Sequence, residues 1–308
     1  MRTRILTLRP GADLDRLQAA LRGLGVWTQA LASGRDEQRA LTIEPHSRRV
    51  ADDVLASLEG VQSLLAAPTS TPKLDAMAGT SILVGKLEIG GGAPPVLAAG
   101  PCSAENPELV NRAAEDAVRA GARLLRGGAF KPRTSPYAFS GCGTEALTWL
   151  REAANTHNLG LVTEVMSERD VDAVAAVADL VQVGSRNMAN FALLREVGRV
   201  GKPVLLKRGR AASIDDWRQA AEHLLHGGAS GVIFCERGVA GTGERPETRN
   251  TLDISAVALL KHVERAVVWV DPSHGAGRRD LILPLSRAAL AAGADGLLIE
   301  AHPEARRA

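Results

Sequence analysis

Six cations, Arg126, Lys131, Arg133, Arg186, Lys207 and Arg237, recur along this 308-residue chain, each at the end of a short Leu- or Val-rich run or just beyond one. Acids stand at comparable places, Glu164, Glu236, Asp271 and Glu300, together with two other reactive groups, Cys102 and His274. Six cations brought to one place would repel one another unless the ligand between them were multiply anionic, so phosphorylated substrates are expected. Arginine offers a two-pronged fork to phosphate or carboxylate and lysine a point charge, a mixture suited to a compound that carries both groups. Any one of these residues reads equally well as a solvated rim residue, and it is their common registration that favours binding. Cys102, His274 and Glu300 supply a thiolate, an imidazole and a carboxylate, a set able to share Mn²⁺, Fe²⁺, Co²⁺ or Zn²⁺. Taken singly, Cys102 is a small buried residue and His274 a hydrogen-bonded turn residue; only the trio points to a metal. Cys142, in a glycine-rich loop, and Cys235, inside an apolar run, are read as packing residues.

The elements that must position these groups are short β-branched or Leu-rich runs: 96–99, 123–126, 161–165, 180–183, 204–207, 232–235, 267–270 and 296–299. They alternate with helical patterns at intervals of roughly 30 residues, the mark of repeated βα units in a parallel sheet covered on both faces. Eight such strands predict closure into an α/β, (β/α)8 TIM-type barrel, with a doubly wound open sheet as the second choice. Reactive groups at the C-terminal ends of barrel strands face one mouth, and every run here is followed by one. Seven helices can be placed after seven strands. After the eighth strand only Ala301 to Ala308 remains, so the eighth helix is expected to be missing.

Residues 1–67 read strand, helix, strand, strand, helix, strand, the α+β ferredoxin-like order, with helices drawn from Leu14, Leu17 and Leu21 and from Val50, Val54 and Leu58. Pro68 to Pro72 is turn-rich, so 68–80 is expected to be a linker, and 81–308, opened by a hairpin around Gly85, to be the catalytic domain. Lys plus Arg at 37 against Asp plus Glu at 35 leaves a formal charge of +2, too balanced for a nucleic-acid partner. The charged N-terminal segment has no apolar stretch of secretory type, and no run is long and apolar enough to span a bilayer, so a cytoplasmic protein without membrane contact is expected.

Seven stretches carry a resemblance to a known family: Gly100-Pro-Cys-Ser-Ala-Glu105, Leu125 to Tyr137, Gln182-Val-Gly-Ser-Arg-Asn-Met188, Pro203 to Gly209, Cys235-Glu-Arg-Gly238, Asn250 to Ser255 and Asp271-Pro-Ser-His-Gly275. In order and length they resemble the 3-deoxy-D-arabino-heptulosonate 7-phosphate (DAHP) synthases that carry an N-terminal ferredoxin-like domain. The resemblance implies condensation of phosphoenolpyruvate with erythrose 4-phosphate, the entry to the shikimate pathway and aromatic amino acid biosynthesis, with release of phosphate. It implies that Arg126, Lys131, Arg186, Lys207 and Arg237 hold phosphoenolpyruvate, that Lys131, Arg133, Thr134 and Ser135 hold the aldose phosphate, and that Cys102, His274 and Glu300 bind the metal. Lys131 then stands as general acid to the new hydroxyl. Glu164 either orients the attacking water or is a packed strand-end residue paired to an arginine.

The resemblance also implies a fourth metal ligand, an Asp beyond His302-Pro-Glu304, which the remaining residues do not supply. Weaker metal binding, and a homo-oligomer whose neighbouring subunit or N-terminal domain covers the open barrel seam, are therefore expected. An aromatic amino acid effector of the N-terminal domain is implied as well. Two other readings stand beside the first: a sister synthase using arabinose 5-phosphate or a sialic-acid precursor, and a catalytically impaired or regulatory subunit. Lys131-Pro-Arg-Thr134 argues against the sister enzyme, whose counterpart resembles Lys-Ala-Asn-Arg.

Overall fold

A computed structural model describes residues 4–31, 40–44, 46–48, 50–130, 137, 141–241 and 247–304. Lys131, Arg133, Thr134 and Ser135 lie outside the described residues. The chain forms two compact units, Met1–Ser70 and Thr71–Ala308.

In the first unit, β1 (Arg4–Leu8), β2 (Thr28–Leu31), β3 (Ala40–Ile43) and β4 (Val61–Ala66) make an antiparallel sheet in the order β2-β3-β1-β4. Helix α1 (Leu14–Gly23) begins where the Asp13 carboxylate accepts the Arg16 backbone N–H at 3.0 Å. Its Leu17 and Leu21, one turn apart, bury against Leu6, Leu8 and Leu41 of the sheet. The second helix, α2 (Asp52–Ala56), is shorter than the span 49–58 that periodicity suggests: Ala51 offers no capping side chain, and Gly60 turns the chain directly into β4.

In the second unit, β7 (Val96–Gly100), β8 (Leu124–Arg126), β9 (Gly160–Val165), β10 (Leu180–Val183), β11 (Pro203–Lys207), β12 (Gly231–Glu236), β13 (Val268–Val270) and β14 (Gly296–Glu300) form a closed parallel barrel, β14 pairing with β7 from Gly296↔Val96 to Glu300↔Gly100. Helices α4 (Pro107–Arg119), α5 (Thr144–Thr156), α6 (Val171–Val177), α7 (Phe191–Arg199), α8 (Ile214–Gly227), α9 (Ile254–Ala258, continued by a π turn to Val263) and α11 (Arg279–Ala291) follow the first seven strands, with the short α10 (Pro272–Ala276) ahead of α11. Outward strand residues such as Leu206 and Phe234 pack on these helices, while inward ones, Leu205, Ile233 and Trp269 among them, fill the barrel. The hairpin of β5 (Ser81–Val84) and β6 (Leu87–Gly90) inserts Ile82, Val84 and Ile89 into that inner core, Ile82 meeting Gly231 at the start of β12. Each such buried aliphatic stabilises by about 1.5–3 kcal/mol, so the hairpin closes the end of the barrel opposite the site.

The stretch 68–80, expected as a linker, contains a helix, α3 (Pro72–Ala76). The Glu222 carboxylate of α8 accepts the Lys73 and Leu74 backbone N–H groups at 3.0 and 2.9 Å, satisfying donors that a five-residue helix leaves open. That support comes from 149 and 148 positions away and has no local signature. Among the described residues no helix follows β14, and Leu97, Leu297 and Ile299 along the β14–β7 seam are partly exposed. No helix of the described residues is long and apolar enough to cross a membrane.

Candidate active site

A cavity of about 670 Å³ opens at the C-terminal ends of the strands, and every strand or the segment just after it contributes a polar group. In barrel order these include Cys102, Arg126, Glu164, Gln182, Lys207, Arg237, His274 and Glu300. Of the cations expected from the sequence, the four that are described, Arg126, Arg186, Lys207 and Arg237, all line it.

Cys102, His274 and Glu300, 198 residues apart at the extremes, converge so that their ligand atoms lie within 4.8 Å of one another. Barrel closure is the reason, since β14 and β7 are neighbours. The local device is α10: Asp271 caps it, its Oδ1 accepting the His274 backbone N–H at 3.0 Å, and Pro272 suits its first turn. Asp271 Oδ2 lies 2.7 Å from His274 Nδ1, which leaves Nε2 turned to Glu300 Oε2 at 3.3 Å. An imidazole whose outer nitrogen is held by a carboxylate and whose inner nitrogen faces a thiol and a second carboxylate is a fitting donor set for a divalent cation. The backbone N–H of Glu300 donates to Ser273 Oγ at 3.0 Å and ties the segments that carry His274 and Glu300 together. The adjacent Asp271 carboxylate pulls the His274 imidazole above its usual value. Burial pushes Glu300 up, but Arg126 and His274 outweigh it and hold it below the usual carboxylate range.

Asp271 is fully buried and the same Oδ2 accepts from Lys207 Nζ at 2.5 Å. Burial opposes its charge, yet His274 and Lys207 keep it well below the ordinary carboxylate value. The lysine is thereby fixed at the cavity floor. Arg126, also buried, donates to the Pro101 carbonyl at 3.0 Å and lies 3.9 Å from Glu300; burial opposes its charge, and Cys102, Glu300 and Asp271 more than offset that. Arg237 is different. It is 7% exposed, its Nε and Nη1 have no hydrogen-bond partner among the described residues, and burial, reinforced by Arg249 and Arg210, depresses its pKa. A buried guanidinium with open donors in a cavity calls for an anion.

Glu164 accepts from Gln182 Nε2 at 2.8 Å and is paired to no arginine among the described residues. Its carboxylate lies against Gly184, where an added Cβ would stand 2.0 Å from Oε1. Glu236, expected at the mouth, is instead fully buried behind the barrel wall, 3.1 Å from Arg208. The alternation of strand side chains sends Glu236 outward and Arg237 inward, a phase that an apolar run covered on both faces does not reveal. Gln182, Arg210, Arg249, Asp271 and Ser103 also line or border the site without standing out as ligands in the sequence, although all five lie within the seven family-like stretches or beside them. Cys235 is buried in the barrel core, where loss of hydration raises its thiol pKa, and Cys142 is half-buried.

The family model described as the DAHP synthetase I family matches residues 68–308. The chain belongs to this family. It is 39% identical over 308 residues to the phospho-2-dehydro-3-deoxyheptonate aldolase of Thermotoga maritima, covering 99% of this chain and 90% of that protein. A crystal structure of the DAHP synthase of Thermotoga maritima superposes with a TM-score of 0.73 at 37% identity, over 100% of this chain and 91% of that one. A truncated form of the 3-deoxy-D-arabino-heptulosonate 7-phosphate synthase of the same organism gives 0.68 at 44% identity, over 74% and 83%. More distant is the 2-dehydro-3-deoxyphosphooctonate aldolase of Geobacter sulfurreducens, 29% identical over 245 residues, 74% of this chain and 88% of that protein. For a DAHP synthetase I family member, the barrel with its strand-end cations and the Cys102, His274 and Glu300 cluster is the region that the family model spans.

Proposed function

We propose that this chain is a 3-deoxy-7-phosphoheptulonate synthase, joining C3 of phosphoenolpyruvate to the aldehyde of erythrose 4-phosphate and releasing phosphate. The observation that carries the reading is the buried Arg237 guanidinium, whose Nε and Nη1 have no partner among the described residues, sharing one cavity with Lys207, Arg126 and Arg186 beside the Cys102, His274 and Glu300 cluster. Phosphoenolpyruvate carries a phosphate and a carboxylate on three carbons and can answer all four cations at once. We assign its binding to these four. Their charge also stabilises the oxyanion character that develops as the new bond forms.

Cys102, His274 and Glu300 would hold a divalent ion, Mn²⁺, Fe²⁺, Co²⁺ or Zn²⁺, which when bound supplies Lewis acidity to the aldehyde carbonyl. Glu164, kept as an acceptor by the Gln182 amide, orients the water that adds to C2 before phosphate departs. On the resemblance of Lys131-Pro-Arg-Thr-Ser135, we assign proton delivery to the new hydroxyl to Lys131 and the aldose phosphate to Lys131, Arg133, Thr134 and Ser135. The N-terminal residues 1–67 we read as a regulatory domain for an aromatic amino acid, and the enzyme as a cytoplasmic homo-oligomer.

Phosphate release from phosphoenolpyruvate, measured with erythrose 4-phosphate or arabinose 5-phosphate and with Mn²⁺ or a chelator, tests this. Release with erythrose 4-phosphate that a chelator abolishes is expected. Release only with arabinose 5-phosphate would identify a sister synthase, and none with either sugar an impaired or regulatory subunit.

A further inference from the structure

We infer that Arg208, Glu236 and Asp253, none of which reaches the cavity, are positioning residues that aim Lys207 and Arg237 at the anionic substrate. The inference rests on the assignment of Lys207 and Arg237 to phosphoenolpyruvate. Strands β11 and β12 are neighbours, with Lys207 opposite Cys235 in register. At their ends two consecutive pairs split: Lys207 and Arg237 turn into the cavity, while Arg208 and Glu236 turn into the layer between barrel and helices. There Arg208 Nη1 lies 3.1 Å from Glu236 Oε2 and 2.9 Å from Asp253 Oδ2, and Nε donates to the Ala212 carbonyl at 3.1 Å. The guanidinium stacks over Trp217 at 5.7 Å, whose indole N–H donates to the Leu206 carbonyl at 3.1 Å.

The second oxygen of Glu236 reaches forward, accepting the Gly238 backbone N–H at 2.6 Å. One carboxylate thus ties Arg208, the residue after Lys207, to Gly238, the residue after Arg237. Gly238 has φ +92°, and an added Cβ would stand 2.6 Å from that of Asn250, so the turn that presents Arg237 is closely confined. Asp253 caps α9, its Oδ1 accepting the Ala256 backbone N–H at 3.0 Å, which anchors the clasp to a helix. A buried ion pair stabilises little by itself, since lost hydration offsets most of its attraction. Its position immediately outside two substrate-facing cations, with its oxygens joining the residue after Lys207 to the residue after Arg237, is what geometric control of those cations requires.

The test compares Arg208→Met, Arg208→Lys and Glu236→Gln in the full chain, reading the KM of each substrate, kcat, the calorimetric affinity for phosphoenolpyruvate alone and the melting temperature. Expected for Arg208→Met and Glu236→Gln is a rise in phosphoenolpyruvate KM and Kd of about tenfold or more, because misplacing a binding group by an ångström costs up to about a hundredfold. The KM for erythrose 4-phosphate should stay within about twofold, and Arg208→Lys should recover part of the loss. Glu236→Gln preserves shape and keeps the test open if Arg208→Met does not fold. A lower melting temperature with both KM values unchanged overturns the inference. Lys207→Ala and Arg237→Ala serve as controls: if neither weakens phosphoenolpyruvate, the binding assignment itself has failed, whereas weakening by these two alone refutes only the positioning role.

Discussion

Asp271→Asn should damage both stability and metal binding while scarcely changing volume. Asp271 Oδ2 accepts from Lys207 Nζ at 2.5 Å and from His274 Nδ1 at 2.7 Å, and Oδ1 accepts the His274 backbone N–H at 3.0 Å. An amide cannot meet this demand in either orientation, because its NH2 group must face at least one of those donors. Lys207, itself buried, also loses its counter-charge. Removing one partner of a buried pair destabilises by about 3–5 kcal/mol, and since Asn keeps one acceptor the lower end, about 3 kcal/mol, is expected. In a barrel of this size each kcal/mol moves the melting temperature by about 2–4 °C, so a fall of about 6–12 °C follows. Release of the imidazole from its carboxylate should weaken Mn²⁺ binding about 10- to 100-fold. Scanning calorimetry and a Mn²⁺ titration of metal-stripped protein measure the two effects. A mutant that melts within about one degree of the parent and binds Mn²⁺ equally well refutes the view that this carboxylate organises both groups.

Three further outcomes are expected. Cys102→Ser should lower Mn²⁺ affinity by more than about tenfold with the melting temperature of the metal-free protein unchanged, since a hydroxyl replaces a thiolate ligand without opening a cavity; unaltered affinity would remove Cys102 from the ligand set. Gly184→Ala places a methyl 2.0 Å from Glu164 Oε1 and must displace that carboxylate, so kcat should fall by about a hundredfold; a wild-type kcat would dismiss Glu164 from the chemistry. Ser213 and Asp216 cap α8 reciprocally, Ser213 Oγ accepting the Asp216 N–H at 3.0 Å and Asp216 Oδ2 the Ser213 N–H at 2.9 Å, and Ser213→Ala should destabilise by about 1 kcal/mol. A denaturation midpoint identical to that of the parent would contradict the capping role.

Strand periodicity and strand-end chemistry were legible in the sequence. The run 180–183 is strand β10 to the residue, and the ends of β11 and β12 differ from the expected runs by at most one position. This follows from local physics: a strand buried on both faces must be continuously apolar, and the first polar residue after it marks the rim. That Cys102, His274 and Glu300 meet could also be anticipated, because closing eight strands makes the first and last neighbours.

What the linear order left open was direction. Lys207 and Arg208 are adjacent cations, as Glu236 and Arg237 are adjacent charges, yet one of each pair faces the cavity and the other lies behind the wall. Side-chain phase in a barrel is set by strand tilt and by the register with both neighbours, so no window of sequence contains it. The same holds for Asp271, whose partner Lys207 lies on β11, for Gln182 beside Glu164, and for Glu222 at the start of α3. Residue types determined what chemistry was available. Only the closed barrel decided which groups meet, because a hydrogen bond or an ion pair acts over about 3–4 Å and those distances exist only once distant strands have been brought into register.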